Sequence, residues 1–109
     1  MAYNDIKRLT SATAQLAASA GVIYTAPVGK RAQIGSIILH NTGAGAENVR
    51  LLDNGSATAN RFLNISLVAN ETYEFAPKVP LVLEGGETLQ GLTTTATTVN
   101  IKVYGREEV

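Results

Sequence analysis

The sequence contains no cysteine and no tryptophan, and only 6% of its 109 residues are aromatic. Without cysteine, the chain can form no disulfide bond, no thiolate zinc site and no cysteine nucleophile. With so few aromatic rings, the core has to be built from the Val, Ile, Leu and Ala that dominate its 45% hydrophobic content. We therefore expect the fold to depend on aliphatic burial and backbone hydrogen bonds.

An excess of charge of either sign is also missing. Nine Lys and Arg residues balance nine Asp and Glu residues, which gives a net charge of zero. Domains that bind nucleic acid or lie on anionic membranes usually carry a basic excess, so we expect neither partner. The strongest apolar stretch, Ile34 to Leu39, is far shorter than the about 20 residues of a spanning helix. The opening MAYNDIKRL lacks the apolar core of a secretory signal, and we expect none.

A chain of this length is expected to form one domain. Its radius of gyration should be about 13 Å, which leaves room for one core and no second lobe around a substrate cleft. We expect residues 1–19 to form a polar N-terminal arm that orders on a partner, and residues 20–109 to form the domain. An Ala-rich helix from Ser11 is the alternative for the arm, but Thr10, Thr13 and Ser19 compete with helix formation and favour extended chain.

Alternation of apolar and polar residues predicts strands throughout the domain. The clearest is the last, where Val99, Ile101 and Val103 alternate with polar positions, and we expect it to end at Gly105. The apolar segment 31–41 predicts a long central strand with a bulge near Gly35. The predicted strands are residues 22–25, 31–41, 47–53, 62–68, 73–75, 81–83, 89–92 and 99–104.

Glycine and asparagine mark the predicted turns between these strands. We expect Gly43-Ala44-Gly45 and Glu84-Gly85-Gly86-Glu87 to close hairpins, and Asp53-Asn54-Gly55 to form a tight turn. The segment 93–98 is compatible with a loop or an edge strand. Turn signals at this spacing are typical of an all-β fold. We predict a single-domain antiparallel β-sandwich, jelly-roll-like, with seven to nine short strands.

Candidate catalytic residues are few. His40 is the one imidazole, and it lies in an apolar strand without an evident carboxylate partner, so we interpret it as a strand histidine at a surface or subunit contact. A Ser-His-Asp set can be assembled from His40, Asp53 and Ser56, but no nucleophile elbow supports it. We therefore expect no enzymatic activity and no catalytic residue.

The candidate ligand motifs are also incomplete. Gly29-Lys30 resembles the end of a phosphate loop, but Tyr24 stands at the first glycine position and Arg31 where Ser or Thr would hold magnesium. The acidic pairs Glu84 with Glu87 and Glu107 with Glu108 are better explained as solvated charge at a turn and in a tail. We expect no cofactor-binding and no metal-binding residue.

A carbohydrate site would need clustered rings or a polar loop. The four tyrosines, Tyr3, Tyr24, Tyr73 and Tyr104, are spread through the chain. The remaining candidates for such a site are the polar residues Asn41, Asp53, Asn54 and Asn60.

Two segments resemble a known group of proteins. Residues 24–32, YTAPVGKRA, run into IGSIILHNTGAGAENVRLLDNG, and this passage is similar to the opening of small β-sandwich structural proteins of tailed bacteriophages. The later segment 81–89, LVLEGGETL, resembles a second landmark of the same group. The resemblance covers residues 22–103, and its motifs are turns that carry no catalytic residue.

The resemblance implies a part of the virion, assembled in the bacterial cytoplasm. We expect a trimeric capsid decoration (cement) protein that binds the major capsid protein from outside and stabilises the shell. A tail, neck or fibre component is the first alternative, and a carbohydrate-binding host-recognition module is the second.

Overall fold

The computed structural model describes residues 6–108 of the chain. Within this range the sequence forms nine strands and one short 3₁₀ helix, Thr58–Asn60. The strands are β1 (Lys7–Arg8), β2 (Gly21–Thr25), β3 (Arg31–Asn41), β4 (Glu47–Asp53), β5 (Arg61–Leu67), β6 (Thr72–Phe75), β7 (Leu81–Leu83), β8 (Thr88–Leu92) and β9 (Val99–Glu108).

The strands form two antiparallel sheets. Sheet A has the order β1-β9-β3-β6, with β7 also paired to β3, and sheet B has the order β2-β8-β4-β5. The two sheets pack face to face as a β-sandwich, which confirms the predicted all-β fold. The radius of gyration is 13.6 Å, the size expected of one domain. No helix in the described range is long and apolar enough to cross a membrane.

The core lies between the sheets and is mainly aliphatic, as the composition predicts. Alternation along β3 and β9 turns every second side chain inward, so that the two longest strands supply much of the inner face of sheet A. Sheet B meets it with apolar residues of β4, β5 and β8. The largest fully buried side chains are Leu16, Ile34, Ile37, Leu39, Leu51, Leu67, Leu83, Leu89, Ile101, Val49, Val99 and Val103.

The predicted irregularity near Gly35 is present. The register of β3 against β9 shifts between Ile34 and Ser36. On the other side of β3, strands β6 and β7 form one broken edge strand, with Phe75 opposite Ile37 and Leu81 opposite Ile34. The interruption at residues 76–80 contains Pro77 and Pro80, which cannot donate to a β-ladder.

Two predicted hairpins are wrong. The chain turns at residues 43–45 and 84–87, but β3 and β4 belong to different sheets, as do β7 and β8. Each turn therefore carries the chain across the sandwich. Glycine-rich sequence favours a turn in either case, and it does not specify whether the next strand pairs with the last one or packs over it.

The pairing of β4 with β5 confirms a return of the chain after Asp53, but through a longer connection than a tight turn. Asn54 adopts a positive φ of 54°, as the sequence predicts. The 3₁₀ helix then occupies the end of the connection before β5 begins at Arg61. The segment 93–98, left open by the sequence, forms a loop.

The last strand does not end at Gly105 but continues to Glu108. A Cβ atom at position 105 would lie 2.1 Å from the carbonyl oxygen of Gln33. Glycine is needed here because β9 and β3 approach each other closely beside the bulge. The residue interpreted as the end of the strand is thus a point where two strands approach too closely for a side chain.

The described part of the N-terminal segment is not helical: it lies along β9 in extended stretches interrupted by a turn at residues 12–13. The backbone N–H of Leu9 donates to the carbonyl of Val103 at 2.7 Å, and that of Leu16 donates to Val99 at 2.9 Å. Leu16 enters the core with 1% of its surface exposed. This part of the predicted arm covers an edge of sheet A within its own chain. Residues 1–5 of the arm, with Tyr3, lie outside the described residues.

Candidate functional site

One end of the sandwich is closed by a buried asparagine. Asn41, the last residue of β3, has no exposed surface. Its Nδ2 donates to the carbonyls of Gly45 at 2.9 Å and Leu67 at 3.1 Å, and its Oδ1 accepts from the N–H of Gly43 at 2.9 Å. The amide therefore ties the β3–β4 crossing to the end of β5 and is not available to a carbohydrate.

A buried glutamate closes the same end from the other sheet. Glu47, the first residue of β4, is 6% exposed. Its Oε1 accepts hydrogen bonds from the backbone N–H of Thr95 at 2.7 Å and from the hydroxyls of Thr93 at 3.0 Å and Thr98 at 3.2 Å. These bonds, first that from the Thr95 N–H, hold the pKa of Glu47 below its ordinary value. This buried carboxylate could not be predicted from the sequence, because its partners lie in a loop that is distant along the chain.

The other predicted carbohydrate residues lie at the opposite end. Strand β4 runs from Glu47 to Asp53, so that Asp53, Asn54 and Asn60 are separated from Asn41 by the length of the sandwich. Within their connection, Asn60 Nδ2 donates to the Asp53 carbonyl at 2.9 Å, and Asn54 Oδ1 accepts from the N–H of Thr88 in the neighbouring strand β8 at 3.3 Å. The four residues do not form one site.

The hypothetical Ser-His-Asp set is not assembled either. His40 lies near the end of β3, where its Nδ1 is 2.8 Å from the hydroxyl of Thr72 on the neighbouring edge strand. Asp53 ends β4 at the opposite end of the sandwich, and Ser56 follows it in the connection to β5. His40 is a strand histidine, as its sequence context predicts.

Glu107 is not the solvated tail residue that the sequence predicted. Because β9 continues to Glu108, the Glu107 side chain points inward between the sheets. It accepts a hydrogen bond from the phenol of Tyr24 on sheet B and forms a salt bridge with Lys7 at 2.8 Å. The hydrogen bonds from Lys7 and Tyr24 lower the pKa of Glu107. The pKa of Tyr24 is raised, first by burial of its phenol and then by its hydrogen bond to Glu107. This group joins the two sheets.

The outer surface of sheet A carries polar and charged side chains on its two longest strands, β3 and β9. Antiparallel register places His40 beside Asn100, Ile38 beside Lys102, and Ser36 beside Tyr104. Residues directly opposite one another point to the same side of a sheet. We define the β3–β9 face as the outward side chains of these two strands, namely Gln33, Ser36, Ile38, His40, Asn100, Lys102, Tyr104 and Arg106.

A shallow groove runs along this face. One depression of about 340 Å³ is lined by residues that include Ile6, Pro80, Tyr104 and Arg106. A second, of about 390 Å³, is lined by Ile38, His40, Asn100, Lys102 and Tyr104. Tyr104 belongs to both linings, so the depressions adjoin each other. One side of this face is visible in the sequence, because the polar positions of the last strand alternate with Val99, Ile101 and Val103.

On the outer surface of sheet B, two amide side chains of adjacent strands pair with each other. Asn48 Nδ2 donates to Asn64 Oδ1 at 2.9 Å on the adjacent strand. No three His, Asp or Glu side chains among residues 6–108 are grouped so as to hold a metal ion. Neither family models, curated proteins nor solved structures gave a match to this chain. What is established is the antiparallel β-sandwich, whose β3–β9 face carries a groove.

Proposed function

We propose that this protein is a non-enzymatic structural protein of a tailed bacteriophage virion. Its role is that of a capsid decoration protein, assembled in the host cytoplasm, which binds the outer surface of the major capsid protein and stabilises the shell. A chain without cysteine suits assembly in a reducing compartment, where disulfides do not persist.

The observation that carries the proposal is the contact between the two segments on which the phage resemblance rests. The N–H of Ala26 donates to the carbonyl of Glu87 at 2.9 Å, and the N–H of Gly86 donates to the carbonyl of Ala26 at 2.8 Å. A Cβ atom on Gly85 would lie 3.0 Å from the Gly29 nitrogen. The two landmarks therefore form one corner of the fold, which supports their interpretation as a joint structural signature.

The form of the module also suits a function based on contact. Both ends are closed by hydrogen bonds within the chain, and the described N-terminal segment covers the β9 edge of sheet A. A protein that binds only the assembled shell stabilises it by mass action. Zero net charge allows many copies to lie close together with little mutual repulsion.

The proposal includes a trimeric state, because a decoration protein commonly shares the symmetry of the lattice that it covers. Light scattering coupled to gel filtration measures the mass of the isolated protein against the 11.5 kDa chain. A mass of three chains is expected, and a monomer at all concentrations and on the particle would contradict this part of the proposal.

The test of the function compares particles with and without the protein. Particles that lack it are expected to release DNA at lower temperature and under milder osmotic shock, and added purified protein is expected to restore resistance. Quantitative mass spectrometry should give a copy number comparable to that of the major capsid protein. A few copies per particle would instead indicate a tail, neck or fibre component, and equal resistance of both particles would contradict the stabilising role.

A further inference from the structure

We propose that the β3–β9 face binds an extended acidic segment of a partner protein, in which two carboxylates four residues apart flank one apolar side chain. The inference deepens the proposed function by naming the surface that meets the partner. It rests on that function only for the identification of the partner as the capsid protein.

The charge of the face supports an acidic partner. Lys102 and Arg106 point outward from β9, and neither forms a salt bridge with any residue in the described range. Arg8 adds a third cation, because its register places it beside Tyr104 on the same side of sheet A. The acidic residues Glu74 and Glu108 lie at the margins of the face, and Glu74 already accepts a hydrogen bond from Ser36 at 2.8 Å. The middle of the face is therefore cationic.

The spacing of the cations supports an extended occupant. Consecutive strand residues rise by about 3.3 Å, so Lys102 and Arg106 lie about 13 Å apart along β9. Positions four residues apart in an extended peptide have the same separation. Charge-assisted hydrogen bonds from the ammonium and the guanidinium groups would then hold one carboxylate each.

Apolar groups between and beside the cations define the rest of the segment. Tyr104 lies midway between Lys102 and Arg106, where both depressions meet. Ile38 borders the groove on one side of Tyr104, and Ile6, which is 66% exposed, borders it on the other. An apolar side chain between the two carboxylates would cover these groups and remove them from water.

These features favour a peptide over single-stranded nucleic acid. Binding of a nucleic acid strand relies on a continuous cationic track and on several aromatic rings that stack with successive bases. The linings of the two depressions contain two rings, the phenol of Tyr104 and the imidazole of His40, and not a series of stacking aromatic side chains. We therefore make nucleic acid binding an outcome of the test.

The first experiment uses the isolated, isotopically labelled full chain and a synthetic eight-residue peptide with glutamates at its second and sixth positions and leucine at its fourth. In an NMR titration with this peptide, we expect saturable shifts of the amide signals of Ile38, Lys102 and Tyr104, and we expect these shifts to become smaller as salt is added. A peptide with lysines in place of the glutamates should cause none. Absence of saturable shifts, equal shifts with the lysine peptide, or stronger binding of oligo-thymidine at these residues would overturn the proposal.

Matched charge reversals locate the site. The double variant K102E/R106E should bind the acidic peptide at least tenfold more weakly than the wild type, whereas K30E/R61E should bind as the wild type does. The control makes the same change of charge on exposed residues of the β2–β3 turn and of sheet B. Equal weakening by both double variants would show nonspecific attraction and overturn the proposal. Thermal unfolding of each variant verifies that it is folded.

The same variants separate this inference from the proposed function. Purified capsid shells that lack the protein are incubated with wild type, K102E/R106E or K30E/R61E. If the wild type binds the peptide but not the shells, the decoration function fails and the acidic site stands. If K102E/R106E binds the shells as tightly as the wild type does, the function stands and the site is not the capsid contact, which overturns the inference.

Discussion

The two ends of the sandwich are closed by different chemistry. At the end where β3 finishes and β4 begins, the buried side chains of Asn41 and Glu47 bind the backbone of the surrounding loops. At the other end, the turns that contain Gly29 and Gly85 pack backbone against backbone, and Tyr24 bonds Glu107 across the two sheets. The first end depends on polar groups held away from water, and the second depends largely on the absence of side chains.

This difference decides which substitutions each end tolerates. A buried amide or carboxylate with several partners cannot be removed without leaving donors or acceptors unsatisfied. A glycine at a backbone contact cannot be replaced without moving a neighbouring segment. We therefore expect polar deletions to be most damaging at the Asn41 end, and added methyl groups at the Gly85 end.

The largest effect is expected for Asn41→Ala. The substitution removes the donor to the buried carbonyl of Leu67 and the acceptor for the Gly43 N–H, and it leaves a small cavity. The free energy of unfolding should fall by roughly 2–4 kcal/mol, measured by urea denaturation. Asn64→Ala, on the exposed surface of β5, should cost about 0.5 kcal/mol or less. Equal costs for both substitutions would contradict the closing role of Asn41.

Gly85→Ala tests the opposite end. The new Cβ would meet three backbone atoms, the Gly29 nitrogen at 3.0 Å and the carbonyl oxygens of Pro27 at 3.1 Å and Lys30 at 3.2 Å. The turns that contain Gly29 and Gly85 must therefore move apart. The free energy of unfolding should fall by about 1–3 kcal/mol, measured by thermal or urea denaturation. Gly45→Ala is the matched control at the Asn41 end, because a Cβ there has no neighbour within 4 Å. It should be neutral or slightly stabilising, and a greater cost than for Gly85→Ala would reverse the comparison.

Glu47→Gln should show a smaller effect that depends on pH. The glutamine amide keeps an acceptor oxygen but loses the negative charge that strengthens the hydrogen bonds. The free energy of unfolding should therefore fall by about 1–2 kcal/mol at neutral pH. The pKa of Glu47 is lower in the folded protein than its ordinary value of 4.5. The carboxylate therefore stabilises the protein at pH values above 4.5, and this stabilisation is lost as the pH falls through the pKa of the folded state.

The difference between wild type and Glu47→Gln should accordingly narrow on acidification below about pH 4.5, as followed by urea denaturation at several pH values. Glu74→Gln, which changes an exposed carboxylate, provides the comparison for general effects of charge. A difference between wild type and Glu47→Gln that is constant from neutral pH to pH 3 would show that the charge of Glu47 is unimportant.

The smallest effect is expected for Tyr24→Phe. The free energy of unfolding should fall by about 1 kcal/mol, because the hydrogen bond to Glu107 is lost but Glu107 keeps its salt bridge with Lys7. The pKa of the folded Tyr24 phenol is raised above its ordinary value of 10.0, so the unfolded chain loses this proton first as pH rises. The wild type should therefore lose stability above about pH 10 more steeply than the variant does. Parallel alkaline unfolding curves for the two proteins would contradict this assignment.

The end that contains Gly85 could largely be predicted from the sequence, whereas the end that contains Asn41 could not. Pro27, Gly29 and Gly85 form local patterns that indicate turns, and the alternation of Val99, Ile101 and Val103 indicates a strand. Most strand positions and the bulge beside Gly35 follow from such patterns. The two wrong hairpins come from the same source, because a glycine turn has the same local chemistry whether it pairs two strands or crosses between sheets.

Asn41 and Glu47 have no comparable local signature. In the sequence both are ordinary polar residues at the ends of the glycine- and alanine-rich segment 42–46, and their burial depends on segments that lie far away along the chain. The groove on the β3–β9 face is intermediate. Its side chains alternate visibly along the last strand, but the neighbours that complete it, Ile6 and Pro80, come together only through the sheet topology.

A density map of the intact particle tests the central claim most directly, since it shows both where the protein lies and which face meets its partner. We predict density for the sandwich in many copies on the outside of the capsid, with the β3–β9 face in contact with an acidic segment of the major capsid protein. Density confined to the tail or neck would contradict the proposed function. Contact through sheet B on the capsid would contradict the proposed binding surface.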